Sequence, residues 1–342
     1  MSNSIMYIVA FLILIVAGFF FSYFFSKKRR YEIEYNKGIE VYHEEDFEGA
    51  ILFFQKAIKV NPEKPDAFYN LGLVYMDLQK YGDSKKNFLN AIKLSPNDLD
   101  SYYNLGLLFL KMNKYDDALK QFSNILNLKP NDVETLYLSG CILKEQNKLD
   151  SAVKFLKKTA ELSPDNSDYL FMLAEAYDKR SLAEQNPEDL DKAMEIYKKV
   201  VKINSEHEEA IYQLAICSAK KGLWEDCVCY CKAVLEVDDK SARAYNQMGL
   251  AMYCSGNYDE ALLMYQKALE IDPDYAETYN NYGFVLEKQG DFEEAVKILK
   301  KYLKLCRNFK PTDEKEETFK MKLQAIKEHI KQLEESIKNK NQ

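Results

Sequence analysis

Between residues 31 and 309 the apolar positions recur at three- and four-residue spacing, and the whole arrangement returns about every 34 residues. Such spacing places apolar side chains along one face of a helix, so the pattern predicts helices in successive pairs. Four copies open in near-identical form: AFYNLGLVY (67–75), SYYNLGLLF (101–109), AYNQMGLAM (244–252) and TYNNYGFVL (278–286). A second helix follows with small and large residues at fixed offsets, as in Gly106, Ala118, Phe122, Ile125 and Pro130, or Gly249, Ala261, Tyr265, Ala268 and Pro273. Glycine on the first helix admits the alanine of the second at close range. Large apolar residues fill the space between pairs, and proline stops the second helix because it cannot continue the hydrogen-bond ladder.

Eight copies begin at Tyr31, Pro65, Leu99, Val133, Ser167, Glu208, Ala242 and Ala276, spanning 31–64, 65–98, 99–132, 133–166, 167–207, 208–241, 242–275 and 276–309. Only the fifth is longer, by seven residues. Departures are conservative in size: Ser84 and Cys227 stand for the alanine, and Ala174 and Ala215 for the glycine, while Ser205, Asp239 and Arg307 replace the closing proline. This register resembles the tetratricopeptide repeat (TPR) family over residues 31–309. The resemblance implies an all-α, right-handed TPR solenoid of about eight helix-turn-helix repeats, whose first helices line a concave groove that binds protein segments.

Residues 5–25 form an uncharged run of 21, long enough at about 1.5 Å per residue to cross a hydrocarbon core of about 30 Å. A cleaved signal peptide is the competing reading, but MSNS before the run has no Lys or Arg and no A-x-A site follows it. We expect a transmembrane helix. Lys27, Lys28, Arg29 and Arg30 follow directly as a basic collar (26–30) for lipid headgroups, and the positive-inside rule puts residues 1–4 outside and the repeats in the cytoplasm. The arrangement resembles many bacterial anchored TPR proteins, which favours a bacterial inner membrane. With no Gly or Pro between Phe19 and Lys37, two arrangements stay open: one helix from bilayer into the first pair, or a break at 26–30. Glu34 and Lys37 take positions that are apolar in later copies, as fits a first repeat with no pair before it.

Four of the 47 basic residues lie in the collar, so the rest of the chain sets 43 against 54 acidic ones. That balance argues against nucleic acid as a partner. Seven cysteines in no framework spacing fit a reducing compartment. Cys227 and Cys231 fall on inward positions while Cys229 points away and no His is near, so buried thiols are expected and no metal. Phosphate-loop, dinucleotide, nucleophile-elbow and H-E-x-x-H motifs are absent, and His43, His207 and His329 lie far apart. We expect no catalytic residues and no cofactor.

Three columns mark the expected groove. The second position carries Glu32, Asp66, Asp100, Glu134, Asp168, Glu209 and Glu277, interrupted by Arg243. The fifth carries Tyr35, Tyr69, Tyr103, Tyr137, Phe171 and Tyr212, then Asn246 and Asn280. The sixth carries Asn36, Asn70, Asn104, Leu138, Met172, Gln213, Gln247 and Asn281. Amides at one per repeat can hydrogen-bond an extended peptide backbone, as asparagine ladders do in some members of the family, while tyrosines add stacking and the acids favour basic ligands. The bland account is that these residue types serve solubility and helix propensity. A chaperone-tail clamp is disfavoured, because Asp100 and Asn104 stand where its lysine and arginine would be.

Within the fifth copy, residues 178–192 read as an enlarged, charged hairpin loop, with Asn186 as cap and Pro187 opening the next helix. Beyond 309 a last helix carries Phe319, Leu323, Ile326, Ile330, Leu333 and Ile337, a stripe that needs a cover: the eighth repeat, making it a cap, or a second copy, making a weak coiled-coil homodimer. The sum is a membrane-anchored scaffold or adaptor binding extended or helical peptide segments. A targeting receptor or co-chaperone and a regulatory subunit of a separate membrane enzyme are the alternatives.

Overall fold

The computed structural model describes residues 3–308 and 316–340, leaving out the side chains of residues 3–11, 14, 17–22 and 24 within the first helix. The described residues form seventeen α-helices and one short 3-10 turn, with no strand. They divide into two compact units, Met1–Leu162 and Ser163–Gln342.

The first unit comprises α1 (Asn3–His43), α2 (Phe47–Val60), α3 (Pro65–Asp77), α4 (Tyr81–Leu94), α5 (Leu99–Lys111), α6 (Tyr115–Leu128), α7 (Val133–Glu145) and α8 (Leu149–Leu162). Consecutive helices pair through the small-residue contact. A Cβ added to Gly106 would lie 2.5 Å from the ring of Phe122, and one on Gly72 2.7 Å from Phe88, so at both places the glycine is there because no larger residue fits. Ser84, standing for alanine, is fully buried and donates to the Gly72 carbonyl at 2.8 Å, which satisfies its hydroxyl inside the contact. The pairs of this unit turn through left-handed residues that are not glycine: Glu45, Gln79, Asn113 and Asn147, all at φ near 60°.

Helix α1 is continuous for 41 residues, so of the two arrangements left open by the sequence the unbroken one is observed. Among the described residues no helix is long and apolar enough to cross a membrane. Most side chains of the 5–25 run lie outside the described residues, and so does the membrane expectation that rests on them.

The second unit comprises α9 (Ser167–Glu184), α10 (Pro187–Ile203), α11 (Glu208–Lys220), α12 (Trp224–Val237), α13 (Ala242–Cys254), α14 (Tyr258–Ile271), α15 (Ala276–Lys288), α16 (Phe292–Leu305) and α17 (Glu316–Lys340). Here the later turns use glycine, Gly222, Gly256 and Gly290, at φ of 71°, 83° and 83°. The seven extra residues do not enlarge the loop, contrary to expectation. They lengthen both helices, α9 to 18 residues and α10 to 17, and leave Gln185 and Asn186 as the turn. A buried ion pair ties the two extensions together: Arg180 on α9 forks onto Asp189 on α10 at 2.7 and 3.0 Å, and Asn186 caps α10 by accepting from the Glu188 N–H at 3.0 Å.

Helix α17 is a cap on the eighth pair. Ile330 and Leu333 are buried in one cluster with Leu286, Val296 and Leu299, Lys300 pairs with Glu334 at 2.7 Å, and His329 meets Glu287 at 2.8 Å. The stripe's cover over these residues is therefore intramolecular. Residues 309–315, including Pro311, lie outside the described residues.

Candidate functional site

In the first unit, the fifth-position tyrosines lean on the buried aromatic of their own second helix. Ring centroids of Tyr35 and Phe54 are 6.0 Å apart, of Tyr69 and Phe88 6.0 Å, and of Tyr103 and Phe122 6.2 Å. Each phenol is thereby held facing the next copy. Asn70 donates to the Tyr35 hydroxyl at 2.9 Å and to the Asp66 carbonyl at 3.0 Å. Asn104 repeats this, donating to the Tyr69 hydroxyl and the Asp100 carbonyl, both at 3.0 Å.

A side-chain amide has two N–H donors. Both are therefore engaged in Asn70 and Asn104, and Asn70 is buried. For hydrogen bonding to a peptide backbone these two amides have their Oδ1 acceptors left. The sequence reasoning missed this cross-link, although its signal was available, since a fifth-position tyrosine and the next sixth-position asparagine stand 35 residues apart, one period plus one.

Burial, with Asp66 nearby, raises the Tyr35 phenol pKa, and burial with Asp100 and Asp98 nearby raises that of Tyr69. Both rings stay neutral hydrogen-bonding groups through the physiological range. The link ends at the fourth copy, where Leu138 replaces asparagine and Tyr103 donates instead to Glu134 at 2.6 Å. Tyr137 is half-buried on α7, and Asn36 is exposed on α1. Asp66, Asp100 and Glu134 are exposed, and neither Asp66 nor Asp100 has a hydrogen-bond or ion-pair partner for its carboxylate among the described residues. Glu32 lies 3.9 Å from Lys28 of the basic collar, of which Lys28, Arg29 and Arg30 are exposed and Lys27 is half-buried.

The second unit differs. Phe171 packs on Tyr197 at 5.6 Å and stacks on His207 at 4.9 Å. Arg243 is not a free cation in the acidic column: it pairs with Glu209 at 2.6 Å and Glu208 at 2.8 Å and sits 4.3 Å above the Tyr212 ring. Gln213 donates to the same Glu209 at 2.9 Å. Asn281 donates to Asn246 at 3.2 Å, repeating the cross-copy link with asparagine in place of tyrosine. Gln247, expected in the groove, is 6 % exposed and its amide meets Cys227 Sγ at 3.7 Å, so it belongs to the core. Cys227 and Cys231 are buried and Cys229 exposed. Among the described residues no group of three His, Cys, Asp or Glu is placed to hold a metal ion.

In the first unit the line is thus a row of tyrosines, Tyr35 and Tyr69 held by asparagines and Tyr103 by Glu134, edged by the carboxylates of Asp66 and Asp100; in the second, Arg243 neutralises Glu208 and Glu209. It offers stacking surface, hydrogen-bond acceptors and negative charge, with no nucleophile beside a base.

Family models for the tetratricopeptide or TPR repeat match residues 38–79, 73–113, 99–132, 133–166, 168–207, 253–290 and 276–309. An uncharacterized protein of Methanocaldococcus jannaschii is 36 % identical over 58 residues, 17 % of this chain and 67 % of that protein. The C-terminal part of a TPR repeat-containing protein from Cytophaga hutchinsonii superposes with a TM-score of 0.60 at 14 % identity, covering 72 % of this chain and 98 % of that one, a likeness of fold. YrrB, described as a TPR protein with an unusual peptide-binding site, is 25 % identical with a TM-score of 0.48, covering 56 % of this chain and 95 % of its own.

Proposed function

Because the chain belongs to the tetratricopeptide repeat family, we propose that it is a non-enzymatic interaction scaffold that binds extended segments of partner proteins along the first-helix line, with Tyr35, Tyr69, Tyr103 and Tyr137 as its main contact surface. The observation that carries this reading is the cross-copy hydrogen bonding. Asn70 and Asn104 hold the rings of Tyr35 and Tyr69 in fixed orientation, so the surface is formed before a ligand arrives and little ordering cost remains on binding. Asp66 and Asp100 flank it without partners and favour a Lys- or Arg-containing segment.

Residues 5–25 anchor the scaffold in a membrane, with the collar at the headgroups and the repeats in the cytoplasm. The continuity of α1 from residue 3 into the first pair supports a stiff mount, since a straight helix of 41 residues measures about 60 Å. Its work in this reading is recruitment to a bilayer.

The test is a pull-down of detergent-extracted full-length protein against a Tyr69→Ala, Tyr103→Ala, Tyr137→Ala variant, with circular dichroism to establish equal folding. Partners lost only from the variant support the line as the site. Retention of every partner refutes it. Fractionation of cells expressing the full chain, with alkaline extraction of the membranes, checks the anchor: release into the soluble fraction refutes that part.

A further inference from the structure

The fourth copy departs from the two copies before it where they are bulkiest. At the fourth, seventh and eleventh positions the second copy has Phe68, Leu71 and Tyr75 and the third has Tyr102, Leu105 and Phe109, whereas the fourth has Leu136, Ser139 and Leu143. All three are smaller residues at inward-facing places. These residues form the buried floor of a cavity of about 510 Å³ among α6, α7 and α8, which their lost bulk helps to deepen. Ser139 donates its hydroxyl to the Thr135 carbonyl at 2.7 Å, so it offers the cavity no free donor. Leu119, Leu126 and Phe155 complete apolar walls.

The rim is open and basic. Ser123 and Ser151 are exposed at the edge, where the preceding copies carry Leu89 and Asp117, and their small size keeps the mouth wide. Lys154 is exposed beside it, and Lys158 is fixed there by donating to the Pro130 carbonyl at 2.6 Å. No acidic residue lines the cavity, in a chain whose net charge is −7. Protein interiors are close-packed, so an apolar recess of this size beneath an open mouth has the form of a site for an inserted apolar group.

We propose that this cavity is a second docking site, distinct from the tyrosine line, for a partner-protein segment that inserts one large apolar side chain, Leu, Phe or Trp, and carries Asp or Glu beside it. The missing bulk corresponds to about one such side chain, which favours a single inserted anchor, and the two lysines select acidic flanks. It rests on the interaction-scaffold reading but not on the tyrosine line. The two surfaces want opposite ligands, basic along the line and acidic at the cavity, so one scaffold could hold two partners at once.

The test selects a phage-displayed random 12-residue library against full-length protein in nanodiscs, then remakes the enriched peptides with fluorescein for polarisation titration. The expected result is a motif with an aromatic or Leu next to Asp or Glu. It should bind saturably at one site and weaken at least tenfold in Ser139→Leu, which restores the residue of the neighbouring copies. Lys154→Glu with Lys158→Glu, on the rim, should weaken it similarly, and serves if Ser139→Leu misfolds. Asp66→Lys with Asp100→Lys should leave it unchanged. The proposal is overturned by no enrichment, by peptides that bind Ser139→Leu as well as the parent, or by basic peptides lost only in the Asp66→Lys, Asp100→Lys variant. That last pattern would support the tyrosine line while refuting the cavity, and the reverse pattern would do the opposite.

Discussion

Arg180→Met should open the fifth helix pair specifically. The Asp189 side chain is 1 % exposed and is held by the Arg180 guanidinium through two parallel hydrogen bonds, while Lys192 stands 3.4 Å away and half in solvent. Removing one member of a buried pair leaves an uncompensated charge and costs about 3–5 kcal/mol. Lys192 remains to compensate in part, so the expected cost is near the lower end, about 3 kcal/mol.

Replacing both partners by apolar residues, Arg180→Met with Asp189→Leu, should cost within about 1 kcal/mol of zero, since such pairs often exchange for packed hydrophobes without loss. Because pairs in repeat arrays open semi-independently, the assay is hydrogen exchange by mass spectrometry on peptides from α9 and α10, with peptides from α3 to α6 as the internal reference. The acid response has a definite sign. Arg180 holds the Asp189 carboxyl below the usual range, so its contribution is complete above the unfolded carboxylate value of about 4 and is lost as pH falls through the lower folded value. The reasoning is refuted if the single variant loses less than about 1 kcal/mol, or if single and double lose equally.

Three further outcomes are expected. Gly106→Ala places a Cβ 2.5 Å from the fully buried Phe122 ring and should destabilise by about 1–2 kcal/mol despite better helix propensity, whereas Gly82→Ala, with nothing within 4 Å, should be neutral or slightly stabilising in urea titration. Gln79→Gly, at φ 57°, relieves left-handed strain and should raise stability by about 0.5–1 kcal/mol, while Gly256→Val at φ 83° should lower it by at least as much, both read from thermal melts. Tyr69→Phe strands one Asn104 donor and should cost about 1 kcal/mol, most of it recovered by adding Asn104→Leu; full additivity of the two would sink the cross-link argument.

Much of the fold was legible because each repeat is a local unit. Gly72 against Phe88, and Gly106 against Phe122, are contacts between residues 16 apart, closed by one tight turn, so their spacing in the chain already encodes their meeting in space. The same locality explains why the tyrosine, acidic and amide columns could be written down before any coordinates. Whether a column member faces solvent was not encoded. Asn70 and Asn104 share one position, yet the first is buried and the second half-buried, and Gln247 at that position turns to Cys227 in the core.

Sequence alone thus determined the repeat, its helical pairs and its all-α class, because small and large residues at fixed offsets within each period specify which faces of the two helices meet. Tertiary structure decided where the polar groups of each copy are satisfied. Asn70 and Asn104 give their donors to the preceding tyrosine, and Arg243 closes on Glu208 and Glu209. The extra residues of the fifth copy become helix around a buried Arg180–Asp189 pair, and a cavity opens over Leu136, Ser139 and Leu143 of the fourth copy. Each of these outcomes depends on which partner lies within about 3 Å across a helix contact, a quantity set by the packing of neighbouring copies and absent from any one-dimensional pattern.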